Sequence, residues 1–365
     1  MRPRQQDLPS VCRAAGEWFL NSAIQEPNGG VARYYFSDRQ RNAPLTTEIT
    51  AYFASASVWV SKQDSQSPFL DMAIRAASYL VEAWDSKCEA MPFECNAEGP
   101  RYSYFFDNGI IVRGLLAVWR ESKNRGSKNK ELLETAMKCG DSMLRDFADG
   151  SGFNPILELP SKAALVREPA RWSRSSGCYQ LKAALGWYEL WQITEKEEYL
   201  ACYRHLLQAA IASHPRFLPG ARTDITVMDR LHAYSYFLEG LLPVLNESEA
   251  AEALVVGIDR LSNFVEKISS LFLRSDVVAQ LLRVRLFADQ YGVLPLDEDA
   301  ARKESLLLQS FQSDDPDPRL HGGFWFGRKN GEMLPFMNPV STAFCCQALE
   351  MWNQRGNKTD WQSLI

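Results

Sequence analysis

The chain has 365 residues, of which 46% are hydrophobic and 23% charged, a composition typical of globular proteins. A formal net charge of -5 argues against a dedicated nucleic-acid binder, because such proteins normally carry a basic excess. Residues 1–7 include arginines but lead into no apolar segment, so we expect no secretory signal. No apolar run approaches the ~20 residues needed to span a bilayer. Eight cysteines, scattered singly apart from Cys345-Cys346, favour a reducing cytoplasm over a disulfide framework.

In chain order, helical periodicity dominates and strand alternation is nearly absent, which predicts an all-α protein of about twelve helices in pairs. The first member of a pair is amphipathic, as in residues 131–147 and 196–213. The second member is apolar or small nearly all round, which is typical of a helix surrounded by protein. Such segments are residues 109–119, 177–191, 233–245 and 340–352. Mid-helix glycines such as Gly114 and Gly240 indicate close helix approach, because glycine otherwise costs about 1 kcal/mol there.

The buried helices are predicted to begin at intervals of roughly 45–65 residues, near Thr47, Asp107, Arg174, Arg230, Ser275 and Pro339. Alternating exposed and buried helices close most simply into a double ring. This regular alternation of exposed and buried helices resembles the (α/α)6 toroid of the six-hairpin glycosidase-like superfamily. That superfamily includes unsaturated-glucuronyl hydrolases, N-acylglucosamine 2-epimerases and glucuronyl C5-epimerases. The resemblance implies a single (α/α)6 toroid domain over residues 1–365.

Long links rich in glycine, proline and aromatic residues enter the buried helices, whereas the turns that leave them are short and polar. The links are residues 28–46, 85–105, 148–172, 214–228 and 313–338. Long aperiodic links are uncommon in compact domains unless they have a function. Because all of them precede buried helices, we expect a site on the face of the ring where they meet.

Two acids at the starts of buried helices are candidates for catalysis. Asp107 follows the aromatic residues 102–106, and Glu48 follows Thr46 and Thr47 in a first helical turn. Glycosidic hydrolysis needs two carboxyl groups about 5–9.5 Å apart. The alternative is that both acids only cap their helices or compensate the helix dipole. Asp229 and Asp276 occupy similar positions and are reserve candidates.

His232 opens a buried helix, and Tyr236 follows at helical spacing on the same face. A histidine there can transfer protons near neutral pH, although a purely structural histidine fits equally well. His321 begins the segment His-Gly-Gly-Phe-Trp-Phe-Gly, which is suited to lining a sugar subsite or to packing as a glycine turn.

Arginines are frequent at the same helix entrances, and a cluster of them would grip a carboxylate or phosphate, although some will pair with protein acids. We therefore expect an anionic, uronic sugar. The predicted substrate-binding residues combine arginines and aromatic platforms with the acid and histidine above: Tyr34, Tyr104, Arg171, Trp172, Arg174, Arg230, Asp276, His321 and Trp325.

Motifs for phosphate loops, dinucleotide-binding strands, HExxH sites and paired CxxC are missing, so we expect no cofactor and no metal. One alternative is a zinc trio of Cys345, Cys346 and His321, since the lanthionine cyclases, a related toroid class, use Cys, Cys and His. Adjacent helical cysteines point about 100° apart, which makes joint ligation awkward.

Three functions remain open from the residues. The leading one is a glycoside hydrolase acting on an oligosaccharide or polysaccharide, with Asp107 as the acid and Glu48 as its partner. An acid at a buried-helix start is similar to the pattern of unsaturated-glucuronyl hydrolases. The second is a sugar epimerase or polysaccharide lyase that uses His232 or Tyr236 for proton transfer. The third is a non-catalytic glycan-binding toroid. None of the three involves nucleic acid or a membrane span, and the oligomeric state is left open.

Overall fold

The computed structural model describes residues 8–63, 68–95, 99–127, 129–150, 152–168, 171–218 and 226–365. Over these residues it contains twelve α-helices, as predicted. In chain order they are α1 (Leu8–Asn21), α2 (Thr47–Gln63), α3 (Phe69–Ala83), α4 (Phe105–Asn124), α5 (Lys130–Asp146), α6 (Gln180–Thr194), α7 (Glu197–Ser213), α8 (Thr226–Gly240), α9 (Ser248–Ile268), α10 (Ser275–Gln290), α11 (Glu298–Gln309) and α12 (Pro339–Asn353).

The described chain divides into two compact units. The first unit comprises residues 25–33 and 44–214, and the second comprises residues 34–43, 215–365 and the N-terminal segment up to residue 24. In the first unit α2, α4 and α6 pack side by side, and α3, α5 and α7 pack against them from outside. In the second unit α8, α10 and α12 form the inner set, with α9, α11 and α1 outside. The predicted alternation of amphipathic and buried helices is therefore confirmed within each unit.

Glycines let the inner helices of the first unit touch backbone to backbone. A Cβ added to Gly114 of α4 would lie 2.7 Å from the carbonyl oxygen of Ala51 in α2. A Cβ on Gly109 would collide with the backbone of Ala183 in α6. The close approach predicted for Gly114 is thus present, whereas Gly240 is the last residue of α8 and not a mid-helix glycine.

Short strands form in the links, where the sequence indicated almost none. Three antiparallel three-stranded sheets occur in the described residues: Arg101–Tyr104 with Ile156–Leu159 and Ala163–Ala164; Phe272–Arg274 with Gly327–Lys329 and Glu332–Met333; and Arg41–Asn42 with Tyr35–Phe36 and Phe336–Met337. The strands have two to four residues, too short for alternation to stand out in the sequence. They join the links that enter successive inner helices, such as α4 and α6 through the pair Tyr104 and Ile156.

Three predicted helix boundaries were wrong. The third inner helix begins at Gln180 rather than near Arg174, because Ser175 is extended and separates a short 3-10 turn, Trp172–Arg174, from the helix. The fourth inner helix begins at Thr226 rather than near Arg230, so His232 lies in its middle and does not open it. The same helix ends at Gly240 rather than Leu245 and is followed by the 3-10 turn Leu242–Val244. Pro243 within that turn has no amide donor and cannot continue the helical hydrogen bonds.

Candidate functional site

Glu48 and Asp107, here called the carboxyl pair, come together at the starts of two neighbouring inner helices of the first unit. Glu48 lies in the first turn of α2, and Asp107 is the third residue of α4. The link residues hold both helix starts, since Thr47 Oγ1 donates to the carbonyl of Pro92 at 2.8 Å. The amide of Phe105 likewise donates to the carbonyl of Pro155 at 3.0 Å. Two acids 59 positions apart in the chain thus lie near enough for the charge of Glu48 to add to the effect of burial in raising the pKa of Asp107.

The surroundings of the carboxyl pair favour protonation. Burial raises the pKa of Glu48 from 4.5 to about 7, against the opposing charge of Arg33. Burial, and then the charge of Glu48, raises the pKa of Asp107 well above its ordinary 3.8, again against Arg33. Asp107 is 6% exposed, whereas Glu48 is only partly buried. Because two adjacent carboxylates in a poorly solvated site repel, the pair retains a proton near neutral pH.

Asp107 does not cap α4 in the usual way. The N-cap residue Tyr104 forms no side-chain capping bond. Asn108 instead ties the helix start to the preceding strand, donating to Ser103 Oγ at 3.0 Å and to the carbonyl of Tyr104 at 2.8 Å. Among the described residues, the buried Oδ2 of Asp107 has no hydrogen-bond partner. A purely structural role, such as helix capping, therefore does not account for the buried Oδ2 atom of Asp107.

Aromatic rings lie near Asp107. Burial, and then the charge of Asp107, raises the pKa of Tyr104 to about 12, and this ring packs on Phe93 with centroids 5.1 Å apart. The charge of Asp107 also acts on Tyr179. The ring centroid of Tyr179 lies 5.1 Å from that of Trp172 and 6.0 Å from that of Phe106. The predicted platforms Tyr104 and Trp172 thus belong to the same unit as the pair.

The arginines predicted to bind substrate in this unit are engaged with a protein carboxylate. Arg174 forms an ion pair with Glu168, and Arg171 lies 3.3 Å from the same side chain. Arg171 is exposed, whereas Arg174 is close enough to Tyr104 for its charge to lower the pKa of that tyrosine. Arg33 is the cation that acts on both members of the carboxyl pair.

The second unit holds a separate constellation, here called the histidine centre, formed by His232, Tyr236 and Gln280. The rings of His232 and Tyr236, one helical turn apart on α8, have centroids 4.4 Å apart. His232 Nδ1 lies 2.7 Å from Gln280 Oε1 on α10. His232 is 8% exposed. The predicted pairing of His232 with Tyr236 is therefore present, and Gln280 is its unpredicted third member.

An arginine–carboxylate cluster borders the histidine centre. Arg274 donates to both oxygens of Asp276, at 3.0 and 2.6 Å, and to Asp229 at 2.8 Å. Burial would raise the pKa of Asp276, but the charge of Arg274 outweighs it and the pKa lies below its ordinary value. Burial, followed by the charge of Arg274, lowers the pKa of His232 to about 4. His232 is therefore neutral at neutral pH, and the reserve acids Asp229 and Asp276 serve in this structure as ion-pair partners.

The other predicted binding residues of the second unit lie in different local surroundings. Tyr34 packs with Phe36 and Phe336, at centroid distances of 4.7 and 5.2 Å. The guanidinium of Arg230 lies 5.7 Å above the ring of Phe217. The carbonyl of the partly buried Trp325 accepts from Ser275 Oγ at 2.7 Å.

His321 and the cysteine pair do not form a metal trio. His321 is exposed, and its Nδ1 lies 3.1 Å from the carbonyl of Asp315. Cys345 Sγ contacts the carbonyl of Ser275, whereas Cys346 Sγ contacts that of Cys12, so the two thiols point to different neighbours. Within the ranges that the structure describes, no group of three potential ligands is placed to hold a metal ion.

Sequence reasoning missed the buried polar residues Gln280, Glu239 and Arg283. A usable signal existed, because Gln280 lies one helical turn after Asp276 and Arg283 lies almost one turn further along α10. Polar residues at this spacing in an otherwise apolar helix indicate a buried network rather than a solvated face.

Arg222, one of the arginines at the predicted helix entrances, falls outside the described residues.

No family model matches the chain, and no curated protein matches it. Solved structures do match over nearly its whole length. D-mannose isomerase has a TM-score of 0.68 at 9% identity, with 96% of this chain and 100% of that chain covered. The cellobiose 2-epimerase from Spirochaeta thermophila has a TM-score of 0.69 at 12% identity, covering 95% of this chain and 99% of that one. An unsaturated glucuronyl hydrolase mutant from Streptococcus agalactiae has a TM-score of 0.64 at 8% identity, covering 95% and 90%.

The chain has an (α/α)6 toroid fold. The predicted resemblance to the six-hairpin glycosidase-like superfamily is confirmed at the level of fold. At 8–12% identity the similarity shows the fold alone, so the reaction must be argued from this toroid's own residues. In the described part of the toroid, no helix is long and apolar enough to cross a bilayer.

Proposed function

We propose that this toroid is a carbohydrate-active enzyme that hydrolyses a glycosidic bond in an oligosaccharide or polysaccharide. The observation that carries the proposal is the carboxyl pair. Glu48 and Asp107 lie together, with aromatic rings near Asp107, and their raised pKa values keep a proton on the pair near neutral pH. A carboxyl group that stays protonated at the working pH is what a general acid requires.

In the proposed reaction Asp107 is the acid. Its proton passes to the glycosidic oxygen as the bond between that oxygen and the anomeric carbon breaks. Glu48, the more exposed of the two, acts as the carboxylate partner, either taking a proton from an attacking water or bonding to the anomeric carbon before water releases it. Arg33 stabilises the pair once the proton has left, because its charge lowers the pKa of both acids.

The surroundings of the pair support a sugar substrate. Tyr104 and Trp172, both partly exposed, provide aromatic faces, and sugar rings stack on such surfaces. An anionic, uronic sugar stays a prediction from the sequence, and Arg171 and Arg174 add little to it because they interact with Glu168. The names of the similar structures, a mannose isomerase, a cellobiose epimerase and a glucuronyl hydrolase, agree with a sugar-acting protein.

The proposal is tested by incubating the protein with neutral and uronate-containing oligosaccharides. Three products are followed together: new reducing ends, absorbance from a new double bond, and deuterium taken up from solvent. Hydrolysis predicts reducing ends alone, formed by the wild type and lost in Asp107→Asn. Full reducing-end production by Asp107→Asn would overturn the assignment of the acid. If the protein binds glycans without forming any product, it is the non-catalytic toroid.

A sugar epimerase or a polysaccharide lyase is the second candidate. The observation that favours it is the histidine centre, where a neutral His232 packs against Tyr236. A neutral imidazole can take a proton from a carbon next to a carbonyl or carboxylate group. This function predicts deuterium uptake or a new double bond, lost in His232→Asn and retained in Asp107→Asn.

A further inference from the structure

Gln280 connects the histidine centre to a buried ion pair. Its Oε1 lies 2.7 Å from His232 Nδ1, and its Nε2 donates to Glu239 Oε2 at 3.5 Å. Glu239 forms an ion pair with Arg283, and both side chains are 0% exposed. Arg283 also donates to Gln347 Oε1 at 3.0 Å. All of these residues belong to the second unit.

The ion pair fixes the charge of Glu239. A fully buried guanidinium is very costly to leave without a countercharge, so Glu239 is a carboxylate, which only accepts hydrogen bonds. The side of the Gln280 amide that faces Glu239 must therefore be its NH2 group. A flipped amide would set oxygen against oxygen and leave the carboxylate without that donor.

The orientation of the Gln280 amide then determines which ring nitrogen of His232 carries the proton. With the NH2 group directed at Glu239, the amide oxygen faces Nδ1 and accepts from it, so Nδ1 must carry hydrogen. A neutral imidazole carries one ring proton, which leaves Nε2 with its lone pair. Asp276 is not the acceptor of the Nδ1 proton, since both its oxygens bind Arg274 and its nearest oxygen is 3.7 Å from Nδ1.

We infer that Gln280 is a positioning residue that holds His232 in the Nδ1–H tautomer and makes Nε2 the proton acceptor of the histidine centre. Its catalytic use rests on the second candidate function, whereas the tautomer itself does not. The matching substrate class is a sugar with a hydrogen on the carbon next to a carbonyl or carboxylate. Nε2 takes that proton as the C–H bond breaks, and the electron pair moves onto the oxygen as an enolate. Returning the proton completes an isomerisation, and expelling the group at the β carbon completes an elimination.

Burial, and then the charge of Arg274, keep His232 neutral until it takes the substrate proton. Arg274 opposes protonation, whereas Asp276 and Glu239 favour it, and burial decides the balance. Tyr236 packs on the ring, and the thiol of Cys345 lies near Asp276. A neutral amide acceptor at Nδ1 suits this balance, because a carboxylate there would stabilise the imidazolium and favour a ring that is already protonated before it meets the substrate.

The tautomer can be measured without a substrate, by NMR of the full-length protein labelled with 15N in histidine. The chain has only four histidines, so His232 is assigned by its loss in His232→Asn. At pH 7 the wild type is expected to show a protonated, pyrrole-type Nδ1 and an unprotonated, pyridine-type Nε2. The reverse pattern, or a doubly protonated ring, would overturn the inference.

Substitutions at Gln280 test its role. Gln280→Leu removes the acceptor, so His232 should lose its preference for Nδ1–H. Gln280→Glu places a carboxylate at Nδ1 and should raise the His232 titration midpoint by about one to two pH units. Gln180→Leu, at a buried glutamine of the first unit, is the matched control and should leave both readings unchanged. An unaltered His232 spectrum in folded Gln280→Leu would refute the positioning role.

Failure of this inference is distinguishable from failure of the second candidate function. If the wild-type tautomer is as inferred but His232→Asn retains all activity, the proton-transfer function is wrong and the tautomer assignment stands. If His232→Asn is inactive but the wild-type ring carries its proton on Nε2, the assignment of the basic nitrogen is wrong. Should Gln280→Leu fail to fold, the wild-type spectrum and Gln280→Glu still decide the question.

Discussion

Each member of the carboxyl pair would ionise near pH 4 in water, but in the folded protein both lose hydration and repel one another. Arg33 offsets only part of this penalty, so the pKa of Glu48 still reaches about 7. Acids held in this way destabilise the fold at neutral pH, which is the expected cost of keeping a proton available for catalysis.

Asp107→Asn should abolish hydrolysis while leaving the fold intact, because an amide cannot donate the catalytic proton. We expect a loss of about 10²–10⁴-fold in kcat, which is typical of removing a general acid. Asp71→Asn is the matched control, since Asp71 is also the third residue of its helix, α3, but is exposed. Equal losses in the two variants would contradict a catalytic role for Asp107.

Glu48→Gln should lose activity but gain stability above neutral pH. In the wild type, folded Glu48 binds a proton between pH 4.5 and about 7 that the unfolded chain has released. Stability is therefore lost as pH rises through this window, and glutamine removes the loss. The variant should unfold with a free energy higher by about 1–3 kcal/mol at pH 8, a difference that vanishes below pH 4.5. Denaturant titrations at both pH values measure it, and lower stability at pH 8 would contradict the raised pKa.

Arg33→Gln should move the alkaline limb of the pH–rate profile to higher pH. Hydrolysis needs a proton on the carboxyl pair, so the rate falls as pH rises through the pKa values of the pair. Because the charge of Arg33 lowers both values, its loss raises them. Profiles of kcat/KM for the wild type and the variant test this, and a shift to lower pH would count against the assignment.

At the scale of elements, the starts of two inner helices of the first unit, α2 and α4, carry the carboxyl pair, whereas His232 lies in the middle of α8. Hydrogen bonds from the links position these starts, while glycine contacts hold the helices of the first unit at close distance. A disturbance of the contact between α2 and α4 should therefore affect stability and activity together.

Gly114→Ala should destabilise the protein by about 1–2 kcal/mol, although alanine favours the helix by about 1 kcal/mol, because its methyl group meets the Ala51 carbonyl. Gly152→Ala is the control, since a Cβ there would meet only the Asp149 carboxylate at 3.9 Å. Thermal unfolding of the two variants measures the difference. A Gly114→Ala variant as stable as the wild type would indicate that α2 and α4 are farther apart.

Much of this arrangement could be predicted from the sequence, because all-round apolar helices and first-turn acids are local patterns. The starts of α2, α10 and α12 and the shared location of Glu48 and Asp107 follow from them. The acceptor of His232 could not be predicted, since Gln280 lies 48 positions away and contacts it only through packing of α8 on α10. The ion pairs of Arg171 and Arg174 with Glu168 could not be predicted from the sequence either, because they depend on the conformation of a link and not on helical periodicity.

At the scale of the molecule, the toroid fold places helix starts and links where sites can form, but it does not select a reaction. Each unit contains one constellation with its own protonation chemistry. The carboxyl pair holds a proton to donate, whereas the histidine centre holds a lone pair ready to accept one. The proposed function therefore depends on the protonation state of named groups, which can be measured directly.

The most direct test is a titration of the side-chain carboxyl groups by 13C NMR in the wild type, Glu48→Gln and Asp107→Asn. Glu304 also titrates late, since burial raises its pKa to about 7 against the charge of Arg285, and Glu304→Gln identifies its signal. We expect further carboxyl signals that titrate near or above pH 7 in the wild type and are lost or shifted in both pair variants. A wild-type spectrum in which every carboxyl group except Glu304 has ionised by pH 6 would contradict this expectation.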